Sequence, residues 1–190
     1  MLKKKLMPRV SFISRGMRKH KIIRAGEESR PFFYNSCKKV VELSNSEEET
    51  MLCAKRFARQ LKAGDIVFLQ GDLGTGKTTF VRGLAPAFKV SSKKVNSPTF
   101  VLMNYYKGNL PIYHFDFYRL ENSKTVAEQA IGNIFDEYFY GEGISLIEWP
   151  ERLGEYKPKK YYLVEFKHKG ENQRAVCISC PSKPQPKFSR

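Results

Sequence analysis

Residues 66–79 read IVFLQGDLGTGKTT, an apolar run of strand length, a glycine-rich turn, and a lysine with two threonines opening a helical segment. The pattern Gly71-x-x-x-x-Gly76-Lys77-Thr78 fits a loop whose backbone N–H groups cradle phosphate. A strand must deliver such a loop, and the positive end of a helix must leave it. Gly71, Gly74 and Gly76 allow close backbone approach, while Asp72, Leu73 and Thr75 complete the turn. Lys77 has the reach for β- and γ-phosphates, and Thr78 has the hydroxyl that Mg²⁺ takes in such loops, with Thr79 following in the first helical turn. The continuous apolar character of Ile66 to Leu69 predicts a central strand covered on both faces.

The rest of the chain supplies the elements that such a loop needs. Ser46 and Glu49 form a capping box ahead of Met51, Ala54, Phe57, Ala58 and Leu61, which recur at helical spacing. Lys39 to Leu43 is a short β-prone run. The helix after the loop is expected over Thr78 to Ala85 and should end or kink near Pro86. Further strands are predicted at Phe100 to Tyr105, Ile112 to Phe117, Ile144 to Glu148, Tyr161 to Phe166 and Ala175 to Ser179, with a helix near Val126 to Tyr138. Strands alternating with helices predict an α/β fold, a three-layer P-loop NTPase with a mostly parallel central sheet and C-terminal strands, and nucleotide at the carboxyl ends of the parallel strands. Two apolar strands end in carboxylates there, Asp116 and Glu148. Each is also compatible with an ordinary strand-end surface residue.

Charge is unevenly distributed. Residues 1–40 hold 12 Lys/Arg against two Glu, so two-thirds of the net charge of +15 lies there and the remainder is only mildly basic. The sequence divides into a basic, disordered extension over 1–36, one ATPase-sized domain over 37–180, and a proline-rich disordered tail over 181–190. A transit peptide, a solvated tail and an over-long start remain alternatives for the extension. No apolar run has the length of a signal peptide or membrane span, which predicts a cytoplasmic protein without membrane attachment. Four cysteines do not make a disulfide framework at this length, and Cys177-x-x-Cys180 ends a strand instead of opening a helix, so neither zinc nor redox chemistry is expected of it.

Four stretches in order, GDLGTGKTT, Ser97-Pro98-Thr99-Phe100, His114-Phe115-Asp116-Phe117-Tyr118-Arg119-Leu120 and Glu148-Trp149-Pro150-Glu151-Arg152, closely resemble the bacterial TsaE (YjeE) family over about residues 38–180. The resemblance implies a Mg²⁺-dependent ATP hydrolase required for threonylcarbamoyladenosine modification of tRNA. Its implied partner is the TsaD-TsaB transferase complex, which it would drive or reset, with tRNA reached indirectly through that complex. It further implies that Thr78 and Glu148 hold the metal, that Asp116 and Lys77 serve hydrolysis, and that Ser97 to Thr99 form a switch-like loop, with Thr99 near the γ-phosphate. Trp149 would face nucleotide or partner, or serve as packing; Arg119 would neutralise phosphate charge or pair a carboxylate. An adenine-side contact would fall near Glu49 and Thr50. Thr75 stands where the family commonly has alanine, which adds a hydroxyl near the γ-phosphate. His114, inside a strand, reads as a core histidine.

A GTPase is disfavoured, because no Asn-Lys-x-Asp motif and no Asp-x-x-Gly switch follows the loop. A small-molecule P-loop kinase and a non-hydrolysing, nucleotide-dependent RNA-binding or scaffold protein remain the alternatives.

Overall fold

The computed structural model describes residues 21–24, 39–120, 138 and 141–179. Its regular elements in chain order are β1 (Lys21–Arg24), β2 (Lys39–Ser44), α1 (Glu47–Ala58), β3 (Ile66–Gln70), α2 (Lys77–Leu84), β4 (Met103–Tyr106), β5 (Ile112–Asp116), β6 (Ile144–Glu148), β7 (Tyr162–His168) and β8 (Arg174–Ser179). The strands form one mixed sheet in the order β1-β2-β8-β7-β3-β6-β5-β4. Its centre is parallel, with β3 between β7 and β6 and β5 beyond β6. The flanking pairs β4–β5, β7–β8 and β2–β8 are antiparallel.

Every residue of β6, and all of β3 but Gln70, is buried. The period of two divides them between faces. Val67, Leu69, Ile144 and Leu146 join Phe57, Phe80, Val81 and Leu84 of α1 and α2 in one core. Ile66, Phe68 and Ile147 join Phe115, Phe117 and Leu153 in a second core across the sheet. Leu153 belongs to a 3₁₀ stretch, Pro150–Tyr156, that follows β6. The helix expected near Val126 to Tyr138 lies outside the described residues except for Tyr138.

Local chemistry explains the boundaries. The Ser46 hydroxyl accepts a hydrogen bond from the Glu49 N–H at 3.2 Å, capping α1. The Glu49 carboxylate closes the box one residue further back, accepting from the Asn45 N–H at 2.7 Å. After α2 the chain tightens into a 3₁₀ turn, Ala85–Phe88, that accommodates Pro86, and Lys89 takes the left-handed conformation usually given to glycine (φ 60°). The strand expected from Phe100 begins only at Met103. Phe100 and Val101 are 81% and 64% exposed, so these apolar residues belong to a surface loop and not to the sheet.

Four residues depart from the disordered extension expected over 1–36. Lys21–Arg24 pairs in parallel with β2, Lys21 aligned with Val40 and Arg24 with Leu43. Ile22 and Ile23 supply the β-propensity that the surrounding charge conceals, and the free edge of β2 supplies the hydrogen-bonding partner. Cys177 lies within β8, where burial raises its thiol pKa above the usual range and makes a reactive thiolate unfavourable. Cys180 is outside the described residues.

The helices α1 and α2 cross at Gly83, where a Cβ would run into the Met51 backbone. Gly83→Ala should therefore force them apart and cost about 1–3 kcal/mol, the usual range for overpacking. Urea unfolding should show a lower midpoint at an unchanged m-value; a wild-type midpoint would contradict this crossing.

Candidate functional site

The loop between β3 and α2 adopts the backbone that its glycines permit, with Gly74 and Gly76 at φ 77° and 98°. Gly76 is the N-cap of α2, so the first helical N–H groups, from Lys77 onward, start at the loop. The Lys77 ammonium donates to the carbonyls of Gly71 at 2.7 Å and Asp72 at 2.9 Å, and lies 4.3 Å from the centroid of the Trp149 ring. Burial lowers the Lys77 pKa, and the neighbouring charges of Glu148 and Asp116 oppose that shift. Phosphate would oppose it further. The Thr75 side chain is fully buried and its hydroxyl donates to the Asp72 carbonyl at 2.7 Å. It therefore braces the loop from within, and is not the additional phosphate-facing hydroxyl expected from its position.

Strand register brings the carboxylates together. In the parallel pair β5–β6, Asp116 stands beside Glu148, and both side chains are buried. Period-two alternation turns them toward the same face as Ile112, Ile144 and Leu146, the face on which α2 packs. The Thr78 hydroxyl donates to Glu148 Oε1 at 2.8 Å. His114, two residues before Asp116 and fully buried, places Nε2 at 3.0 Å from the same oxygen. With the Glu148 oxygen accepting, as a carboxylate does, His114 donates from Nε2.

Asp116 is held from the loop ahead of β4. Its Oδ2 accepts from the hydroxyls of Ser97 and Thr99, each at 2.6 Å, and its Oδ1 accepts from the Tyr118 N–H at 3.0 Å. Pro98 is buried and its carbonyl accepts from the N–H groups of Val101 and Leu102, which folds the segment into a compact turn. Phe100 projects outward with the Arg119 guanidinium 4.0 Å from its ring centroid, so Arg119 is engaged with this loop.

The donor set fits Mg²⁺ on a nucleotide. Mg²⁺ ordinarily takes one or two carboxylates, with phosphate oxygens and water completing an octahedron. Thr78 and Glu148 meet at the start of α2 beside the cradle. Among the described residues no three His, Cys, Asp or Glu side chains form a metal cage, an arrangement that a phosphate-borne ion does not require.

The model of the threonylcarbamoyl adenosine biosynthesis protein TsaE family matches residues 44–176. The chain belongs to the TsaE family. The Bacillus subtilis tRNA threonylcarbamoyladenosine biosynthesis protein TsaE is 40% identical over 133 residues, covering 70% of this chain and 80% of that protein. The protein of that name from Treponema pallidum is 33% identical over 141 residues, covering 72% of this chain and 98% of its own length. A crystal structure of Bacillus subtilis YdiB superposes with a TM-score of 0.61 at 32% identity, over 76% of this chain and 87% of that one.

Within this TsaE fold, three residues differ from their simplest sequence reading. His114 is both a core residue and a partner of Glu148; its spacing of two from Asp116 on one strand is the signal that could have revealed this. Trp149 is half-buried, takes the left-handed backbone conformation (φ 60°) and packs against Tyr118 at 5.0 Å between ring centroids. That conformation is uncommon for a bulky residue, and it places the indole under Lys77. Thr50 is fully buried with its hydroxyl within reach of Ser44 and the Ser46 carbonyl, so only its methyl is turned toward Gly76.

Trp149 is the only tryptophan of the chain. Phosphate would compete with the Gly71 and Asp72 carbonyls for the Lys77 ammonium, so ATP or ADP with Mg²⁺ should change the indole emission. Lys77→Ala should lose that response. Saturating nucleotide that left the wild-type emission unchanged would mean that Lys77 does not move relative to the ring.

Proposed function

We propose that this protein is a Mg²⁺-dependent ATPase serving threonylcarbamoyladenosine modification of tRNA, and that it drives or resets the TsaD-TsaB transferase complex in the cytoplasm. The observation that carries the reading is the convergence of Thr78, Glu148 and Asp116 at the cradle, set by the β5–β6 register. A bare phosphate-binding loop would not require two buried carboxylates beside it; phosphoryl transfer to water uses both a metal-organising carboxylate and a group that orients the nucleophile. Family membership supports the tRNA-modification role.

In this reading the loop N–H groups and Lys77 would hold the β- and γ-phosphates of ATP, while Thr78 and Glu148 would hold Mg²⁺, which when bound would supply neutralisation of phosphate charge. His114 keeps the Glu148 carboxylate turned toward Thr78. Asp116 orients a water for attack, and its bonds to Ser97 and Thr99 make the loop ahead of β4 sensitive to events at the γ-phosphate. Thr99 positions Asp116 and reports its state. The exposed side chains of Phe100 and Val101 on that loop, with Arg119 stacked on Phe100, give the partner complex a surface whose position depends on the nucleotide. Ordering of a switch segment by γ-phosphate is a general means of coupling hydrolysis to an interface.

Phosphate-release assays with and without the TsaD-TsaB complex test this. Lys77→Ala and Thr78→Ala should each lower turnover by about two orders of magnitude or more. Glu148→Gln should shift the Mg²⁺ dependence, whereas Asp116→Asn should lower turnover with that dependence nearly unchanged. The complex should raise wild-type turnover, and Thr99→Ala should blunt the rise more than it weakens ATP binding. Wild-type turnover in the Lys77 or Thr78 variants would remove the ATPase assignment, and an unstimulated wild type would remove the coupling.

A further inference from the structure

Beyond residue 40 the chain carries a net charge of only +5, yet residues 73–115 contain six Lys/Arg and no Asp or Glu. The positive charge of the domain is therefore concentrated in the stretch that runs from the phosphate loop to β5. Lys77 belongs to the cradle. The other five cations, Arg82, Lys89, Lys93, Lys94 and Lys107, come from α2, the two turns that follow it and the turn after β4.

Hydrogen bonds tie these segments together. Arg82 Nε donates to the Val95 carbonyl at 3.0 Å, which fastens the end of the 3₁₀ turn Ser92–Lys94 to α2. The Asn96 N–H donates to the Tyr106 hydroxyl at 3.3 Å, and that hydroxyl donates to the Asn96 carbonyl at 3.1 Å, so the end of β4 joins the same segment. The turn after β4 then packs on the chain before Lys89. The Asn109 N–H donates to the Phe88 carbonyl at 3.0 Å, and a Cβ on Gly108 would collide with that carbonyl. Lys107 and Lys89 flank this contact.

An open cleft of about 360 Å³ is lined by Met51, Arg82, Ser92, Lys93, Val95 and Asn96. It offers two cations, a hydroxyl and a carboxamide, and no carboxylate. Lys89, Lys93, Lys94 and Lys107 are exposed, and among the described residues neither they nor Arg82 form an ion pair. A surface that serves only solubility mixes both signs of charge; this one carries a single sign.

We infer that this face is an RNA-binding surface, the cleft taking one backbone phosphate between Arg82 and Lys93 while Lys89, Lys94 and Lys107 meet neighbouring phosphates. Arginine, lysine, serine and asparagine are among the side chains that ordinarily bond phosphodiester oxygens. A free phosphate ion would be met by the cleft alone, whereas the cations beyond it match a polymer of repeated charge. The relatives are named for threonylcarbamoyladenosine biosynthesis on tRNA, which selects tRNA as the RNA. The inference rests on the tRNA-modification role proposed above and adds to it a direct contact, besides the one through the TsaD-TsaB complex. Asn96 adjoins Ser97, so the contact would lie next to the turn anchored on Asp116.

Fluorescence anisotropy of labelled, unmodified tRNA, titrated with the full chain at several salt concentrations, tests this. The double variant Lys93→Gln, Lys94→Gln should bind about tenfold more weakly near physiological salt, and the slope of log K against log salt should shrink by about 1.5, the counterion release of two phosphate contacts. Arg82→Gln should weaken binding in the same sense. Basal ATP hydrolysis by the double lysine variant should equal that of wild type. The pair Lys159→Gln, Lys160→Gln removes the same charge from exposed positions elsewhere and should bind tRNA nearly as wild type does. Unchanged binding by the Lys93, Lys94 variant would overturn the inference, and unchanged binding with lost stimulation by TsaD-TsaB would assign the face to that complex instead. An equal loss in both lysine pairs, or displacement of tRNA by polyglutamate at matched charge, would overturn it too, by reducing the effect to net charge. Binding that required Lys93 and Lys94 in a chain without ATPase activity would sustain the inference and remove the ATPase reading.

Discussion

One oxygen atom ties the phosphate loop to the sheet. Glu148 Oε1 is shared by the Thr78 hydroxyl at the start of α2 and by His114 Nε2 on β5. A buried carboxylate is costly unless its oxygens are bonded, and a buried imidazole near it is costly unless its proton has somewhere to point. Each group therefore meets part of the other's requirement, His114 Nδ1 being buried without a hydrogen-bond partner, and together they tie α2, β5 and β6 to one another beside the phosphate loop. The arrangement depends on register: a one-residue slip between β5 and β6 would separate Asp116 from Glu148, and reversing the facing of β6 would turn Glu148 into the opposite core.

Asp116 extends this tie to the surface. Ser97 Oγ, Thr99 Oγ1 and Asp116 Oδ2 stand at 2.6 Å from one another. Two hydroxyls have only two protons, so when both donate to the carboxylate the contact between them carries none. The cluster accordingly holds together through Asp116, and a change in the hydrogen bonding of that carboxylate alters the anchoring of the whole turn that carries Phe100 and Val101. The chain thus places an exposed apolar loop one hydrogen bond away from Asp116, an arrangement that the proposed coupling of hydrolysis to a partner would use.

How far this is legible in the sequence differs from residue to residue. The run Ile66 to Leu69 and the strand Ile144 to Glu148 are visible because buried central strands are continuously apolar, and the loop between β3 and α2 is visible because its conformations need glycine. Phe100 and Val101 mislead for the converse reason: their aromatic and β-branched character suits a strand, yet they are exposed on a loop that offers them outward. His114 reads as core because burial and site membership coincide there. The strand at Lys21–Arg24 is hidden by the charge around it, and its partner edge emerges only from the sheet order.

The coupling of Asp116 to the turn at residues 97–102 is tested most directly by amide hydrogen exchange across that segment, compared between the protein bound to Mg²⁺ with a non-hydrolysable ATP analogue and the protein bound to Mg²⁺ with ADP. The two complexes differ only in the γ-phosphate. The Val101 and Leu102 amides, which bond to the Pro98 carbonyl, should exchange at different rates in the two states, and Asp116→Asn should reduce that difference. Identical exchange in both complexes, with nucleotide fully bound, would contradict the account.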